Sequence, residues 1–182
     1  IVALDRALEN DSGNPDLLAC KGYSLHKLER EKEAVEFLAK SLKYKPHNVF
    51  TLMNRGKALL HLRRWEEAVT TFEKVTTLDP PNTAAWYYRG TACEKMSLFD
   101  DAINAFEQTL TLDDSCAVAW YHKASVLYNR DRFEDSIPCF ERALELNPGM
   151  QDAAYRKGLA FAVIGRHEDA IKSFYLALSL GP

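Results

Sequence analysis

The chain has 182 residues, 47% of them hydrophobic and 27% charged, the balance of an ordinary folded protein rather than a disordered or fibrous one. A formal net charge of −3 gives no overall positive field to attract nucleic acid or an anionic membrane. No apolar run approaches the roughly 20 residues that span a bilayer, so neither a nucleic-acid partner nor membrane insertion is expected.

The chain opens on Ile1, Leu4, Ala7 and Leu8 at helical spacing, interleaved with Asp5, Arg6 and Glu9, which makes the stretch amphipathic rather than a signal peptide. Residues 1–14 match the second half of a motif whose first half does not precede them. Pro15 then opens the first full unit, in a place that a helix start tolerates. From there the sequence repeats with a period of 34 residues, giving units 15–48, 49–82, 83–116, 117–150 and 151–182. A small residue recurs as Gly22, Gly56, Gly90, Ala124 and Gly158, and a second one as Ala34, Ala68, Ala102, Ser136 and Ala170. A bulky apolar residue recurs as Leu4, Leu38, Phe72, Phe106, Phe140 and Phe174. Proline closes the units at Pro46, Pro80, Pro148 and Pro182.

Within each unit the apolar residues form two helical runs separated by a short polar turn. In the third unit the runs are Ala85, Trp86, Arg89, Gly90, Cys93 and then Ala102, Ile103, Phe106, Leu110. Small residues let two helices approach, and the proline cannot continue the second one, so each unit predicts an antiparallel helix pair. The first unit is the least regular: Leu18 replaces Trp, and Glu31 stands where later units carry an aromatic residue. The third has lost its proline, so the turn at Asp113-Asp114-Ser115 is expected to rely on side-chain capping. In the fourth, Pro138 lies inside a stretch otherwise written as helix, which predicts a slight bend or an unusual first turn. After the fifth unit nothing covers Ile171, Tyr175 and Leu178, so these are expected to be partly bare, with contact between chain ends or a covering element elsewhere in the protein.

Chemistry leaves no trace in the pattern. His26, His47, His61, His122 and His167 do not pair with one another or with cysteine at metal-ligand spacing, and no glycine-rich phosphate loop is present. Acidic clusters such as Glu66-Glu67 stand at helix starts, where carboxylates favour the helix dipole. No catalytic residue, metal or cofactor is expected. Cys20, Cys93, Cys116 and Cys139 are widely spaced, which argues for reduced thiols and a cytoplasmic location.

The tryptophan, small residue, alanine, phenylalanine and proline in these positions resemble the tetratricopeptide repeat family, over 15–182 and with 1–14 as a leading half repeat. The resemblance implies an all-α, right-handed superhelical α-solenoid of antiparallel helix pairs, whose first helices line a concave groove for extended or helical segments of other proteins. In each unit the second, fifth, sixth, ninth, twelfth and thirteenth residues are placed at that groove. The candidates are Tyr23 in the first unit, Phe50, Met53, Asn54 and Lys57 in the second, and Tyr87, Tyr88 and Thr91 in the third. Tyr121, His122, Ser125 and Tyr128 follow in the fourth, and Tyr155 and Arg156 in the fifth.

Tyrosine dominates this set, and it suits a binding surface through large area, a hydroxyl and few rotamers to freeze. Tyr87, Tyr121 and Tyr155 form one column; Tyr88 serves equally well as packing between helices. Some members of the family grip a C-terminal carboxylate with a lysine-asparagine-asparagine-lysine-arginine set, and only Asn54 and Arg156 match it here, in different windows. The asparagine ladder of other members is replaced by Cys20, Asn54, Tyr88, His122 and Arg156. The expected function is a non-catalytic scaffold for a protein or peptide ligand. The alternatives are an end-to-end self-assembling module and a regulatory array attached to an enzyme domain outside these residues.

Overall fold

A computed structural model describes residues 1–181; Pro182, counted above among the recurring prolines, lies outside the described residues. Among the described residues there are helices and turns but no strand. The helices are α1 (Val2–Asn10), α2 (Pro15–Lys27), α3 (Glu31–Tyr44), α4 (Val49–His61), α5 (Trp65–Leu78) and α6 (Thr83–Lys95) in a first compact unit, Ile1–Met96. A second unit, from Ser97 on, holds α7 (Phe99–Leu112), α8 (Ala117–Asn129), α9 (Phe133–Leu146), α10 (Gln151–Val163) and α11 (His167–Leu180). The all-α architecture of paired helices expected from the 34-residue period is the one the chain adopts.

The periodic residues explain the packing. A Cβ built on Gly56 would lie 2.5 Å from the Phe72 ring, and one on Gly158 would lie 2.6 Å from the Phe174 ring. The missing side chain is therefore the space the phenylalanine fills. Phe72, Phe106 and Phe140 are fully buried, each worth about 1.5–3 kcal/mol of apolar burial. The small residue thus meets the bulky column, and Ala34, Ala68, Ala102 and Ala170 are buried as well.

Four of the turns inside a pair have the same form, and Ser97 holds the same left-handed backbone (φ 57°) after α6. At the end of α2 the Glu29 N–H bonds His26 O and the Arg30 N–H bonds Leu25 O, a Schellman closure around left-handed Glu29 (φ 58°). Arg63, Asp131 and Gly165 repeat it. The following arginine then caps the next helix by an ion pair to its first turn, as Arg30–Glu33 (2.7 Å), Arg64–Glu67 (2.6 Å), Arg132–Asp135 (2.8 Å) and Arg166–Asp169 (2.6 Å). The clustered acids at helix starts thus have partners as well as the helix dipole.

Turns between pairs differ along the chain. Asn14, Asn48 and Asn82 cap α2, α4 and α6 with their side-chain oxygens. Cys116 and Met150 stand at the same place before α8 and α10 and make no side-chain cap. Where the proline is lost, Asp113 Oδ1 accepts from Ser115 N (3.0 Å) and Ser115 Oγ (2.6 Å), so the side chain holds the turn and not the helix end. Trp120 Nε1 donates to Asp114 O at 2.9 Å, as Trp86 Nε1 does to Pro80 O at 2.9 Å. α9 runs without interruption through Pro138, which is exposed along with Glu134, whose carbonyl loses its partner to the proline.

A charge ladder joins successive pairs. Lys21–Asp5, Arg89–Glu73 (3.8 Å), Lys123–Glu107 (2.9 Å) and Lys157–Glu141 (3.7 Å) link a first helix to the second helix before it. The rung expected at Arg55 is broken, because the acidic place is Ala39. Arg55 turns instead to Thr71 Oγ1 (2.8 Å) and Glu67 (3.5 Å), and burial draws its pKa down.

Candidate functional site

The first helices expose their ends and recess their middles. In the first unit Asp16 and Phe50, near helix starts, and Lys27 and His61, near helix ends, are exposed. Between them Tyr23, Met53, Lys57, Tyr87, Tyr88 and Thr91 are half-buried, and Asn54 is buried. The Asn54 amide donates to Phe50 O at 2.8 Å and Thr91 Oγ1 to Tyr87 O at 3.0 Å, so both serve their own helix.

The rings in this unit brace one another. Tyr23 and Phe50 lie 5.5 Å apart between centroids, Tyr88 stacks on Phe72 at 5.5 Å, and Tyr87 meets Tyr88 edge-on at 5.4 Å. Tyr88 thus has one face committed to packing, the role open to it from the sequence. Lys57 Nζ sits 5.1 Å from the Tyr88 ring, and burial, then Lys27, pulls its pKa below the usual lysine value. A hollow of about 290 Å³ opens here, lined by His26, Lys27, Lys57, Leu60, His61 and Tyr88.

The second unit follows the same plan with different side chains. Val118 and Asn129 are exposed at the ends of α8, while Tyr121, His122 and Tyr128 are half-buried and Ser125 is buried. His122 stacks on Phe106 (5.6 Å), Tyr121 leans on Phe140 (6.1 Å), and Tyr128 meets Phe133 edge-on (5.1 Å). On α10, Tyr155 is 51% exposed and rests against Phe174 at 5.7 Å, with Arg156 half-buried beside it. Of the tyrosine column, Tyr121 and Tyr155 therefore each lean on the phenylalanine of the helix that follows.

The expected bare face is also present. Ile171, Tyr175 and Leu178 are 54%, 69% and 71% exposed on α11. A hollow of about 330 Å³ lined by Asp152, Tyr155, Phe174 and Leu178 lies in the same unit.

Residue patterns in the sequence did not bring forward one cluster. His26 Nδ1 lies 2.8 Å from Glu31 Oε2, and His61 Nδ1 lies 2.9 Å from Glu31 Oε1. The three residues come from α2, α3 and α4, so a search for closely spaced ligands passes over them. The available signal was Glu31 itself, a carboxylate in an aromatic column.

These features define antiparallel helix pairs whose first helices, in each unit, carry aromatic residues braced by neighbouring rings. Tetratricopeptide repeat models match residues 17–48, 49–82, 94–137 and 123–182. The chain belongs to the tetratricopeptide repeat family and has its helical-repeat fold, that of a class of protein-interaction scaffolds. It is similar to a crystal structure of MamA at 26% identity and TM-score 0.85, covering 87% of this chain and 93% of that one. A MamA structure from Desulfovibrio magneticus RS-1 is 22% identical with TM-score 0.86, covering 91% and 94%. YrrB, described as a TPR protein with an unusual peptide-binding site, is 20% identical with TM-score 0.85, covering 99% and 93%. No curated protein matches the sequence significantly.

Proposed function

We propose that the chain is a non-catalytic scaffold that holds a peptide or partner helix along the exposed face of its first helices, with the residues from 15 to 182 working as five repeats. The observation that carries this reading is the pairing of exposure with bracing. Phe50 and Tyr155 are 50% and 51% exposed, yet each ring rests on another ring, Tyr23 and Phe174. Rings held in place before binding lose little freedom on contact, which favours affinity. Tyr87, Tyr121 and Arg156 add half-buried contact area, and Lys27 and Lys57 add cationic character. The four free cysteines support a reducing, cytoplasmic setting.

The test is a triple substitution of Tyr87, Tyr121 and Tyr155 by alanine, measured against a peptide selected on the native chain from a random library. Binding should fall at least tenfold while helical circular dichroism is retained. Unchanged affinity would remove the reading. A second reading, association through the α11 face, is favoured by the exposure of Ile171, Tyr175 and Leu178. Sedimentation equilibrium decides it: mass independent of concentration, unchanged in Leu178→Glu, would exclude it.

A further inference from the structure

We propose that His26, Glu31 and His61 form a binding site for a divalent transition-metal ion, with Zn²⁺ the ion their chemistry suits best. Two imidazoles and one carboxylate are an established zinc donor set, and the nitrogen-rich mixture excludes Ca²⁺ and Mg²⁺ as preferred occupants. One donor atom from each residue lies within 4.8 Å of the other two. Donors on a tetrahedral ion with bonds of roughly 2.0–2.1 Å stand about 3.3 Å apart. The two imidazoles face different oxygens of Glu31, His26 Nδ1 at 2.8 Å from Oε2 and His61 Nδ1 at 2.9 Å from Oε1, and side-chain rotation brings both nitrogens and one oxygen to that spacing.

Two observations separate this cluster from a simple hydrogen-bonded clasp. Glu31 is only 8% exposed, and its Oε1, though 2.9 Å from His61 Nδ1, accepts no directed hydrogen bond. The two atoms are close in distance without the alignment of a hydrogen bond. A buried carboxylate oxygen without a donor is costly and calls for a counter-charge.

The second observation is internal to the repeat. Three periods on, the places of His26 and Glu31 are taken by Tyr128 and Phe133, whose rings meet edge-on at 5.1 Å. Trp65, Phe99 and His167 fill the Glu31 place elsewhere. The fold is satisfied by rings at this spot, so a carboxylate flanked by imidazoles is not a requirement of packing. Three protein donors leave a fourth position open, beside the hollow lined by Lys27, Lys57 and Tyr88. Those lysines repel a bare cation but favour an anionic fourth ligand, so the site is expected to bind its ion with hydroxide or chloride.

The experiment is calorimetric titration of the full chain, without a histidine tag, with ZnCl₂ near neutral pH, repeated with CoCl₂ and read by visible absorption. The expected result is saturable uptake of one ion per chain, a cobalt band of four-coordinate intensity, and perturbed NMR signals of His26 and His61 rather than His47 and His167. His61 is well exposed, so His61→Ala keeps the fold; it and Glu31→Gln should each weaken binding by at least tenfold. Cys20→Ser should leave binding unchanged. Absence of one-to-one uptake, or uptake that survives both His61→Ala and Glu31→Gln, would overturn the proposal.

Discussion

Glu29, Arg63 and Asp131 hold left-handed backbone at φ 57–58°, where Gly165 holds φ 80° without a Cβ. The left-handed region costs an L-residue about 1–2 kcal/mol, while glycine loses roughly 0.5–1 kcal/mol more chain entropy on folding. Arg63→Gly should therefore raise stability by about 0.5–1 kcal/mol in urea unfolding, and Gly165→Ala should lower it by about 1 kcal/mol. Nothing lies within 4 Å of a Cβ built on Gly165, so that loss would come from the backbone alone.

The arginine caps give a pH signature at the same scale. The guanidinium of Arg64, hydrogen-bonded to Glu67, holds that carboxyl below its ordinary range, and Arg30 and Arg166 do the same to Glu33 and Asp169. A depressed folded-state pKa contributes stability that is present above the unfolded value and lost as pH falls through the folded one. Arg64→Gln should flatten that acid limb in thermal melts taken below pH ~4.3, by lowering the midpoint at neutral pH more than at acid pH. These turns were hard to read in the sequence. Glu29, Arg63, Ser97 and Asp131 share no side-chain property, and only Gly165 advertises the conformation that all of them adopt.

At the scale of elements, the helix pairs were legible because packing repeats them. Gly22 against Leu38, Gly56 against Phe72 and Gly158 against Phe174 are one steric fact recurring with the period. The charge ladder was not legible, since its rungs join residues on different helices and any single charge looks solvated. Its missing rung offers a direct check. Ala39→Glu should give Arg55 the partner that Arg89, Lys123 and Lys157 already have, raising stability by about 0.2–1 kcal/mol at low salt and less at high salt. Pro138 stood out in the sequence as a conflict within a helical stretch; α9 is continuous through it, with the proline on an exposed face. Pro138→Ala should then stabilise the chain by about 1–3 kcal/mol, seen as an upward shift of the thermal midpoint.

For the whole molecule, family and fold were readable because a period of 34 residues admits few architectures. The candidate face was readable only in outline. Helical position foretold which residues share a side of the first helices, but not depth: Asn54 and Ser125 are buried, whereas Phe50, Val118 and Tyr155 stand out. His26, Glu31 and His61 were beyond reach because their meeting depends on three helices packing in register. No described helix is long and apolar enough to cross a membrane, and the exposed apolar side chains of α11 leave self-association as the rival to peptide capture. NMR chemical-shift mapping of the isotope-labelled chain with a library-selected peptide separates the two most directly. The account predicts perturbations on the first helices, at Phe50, Tyr87, Tyr121 and Tyr155; shifts confined to Ile171, Tyr175 and Leu178 would contradict it.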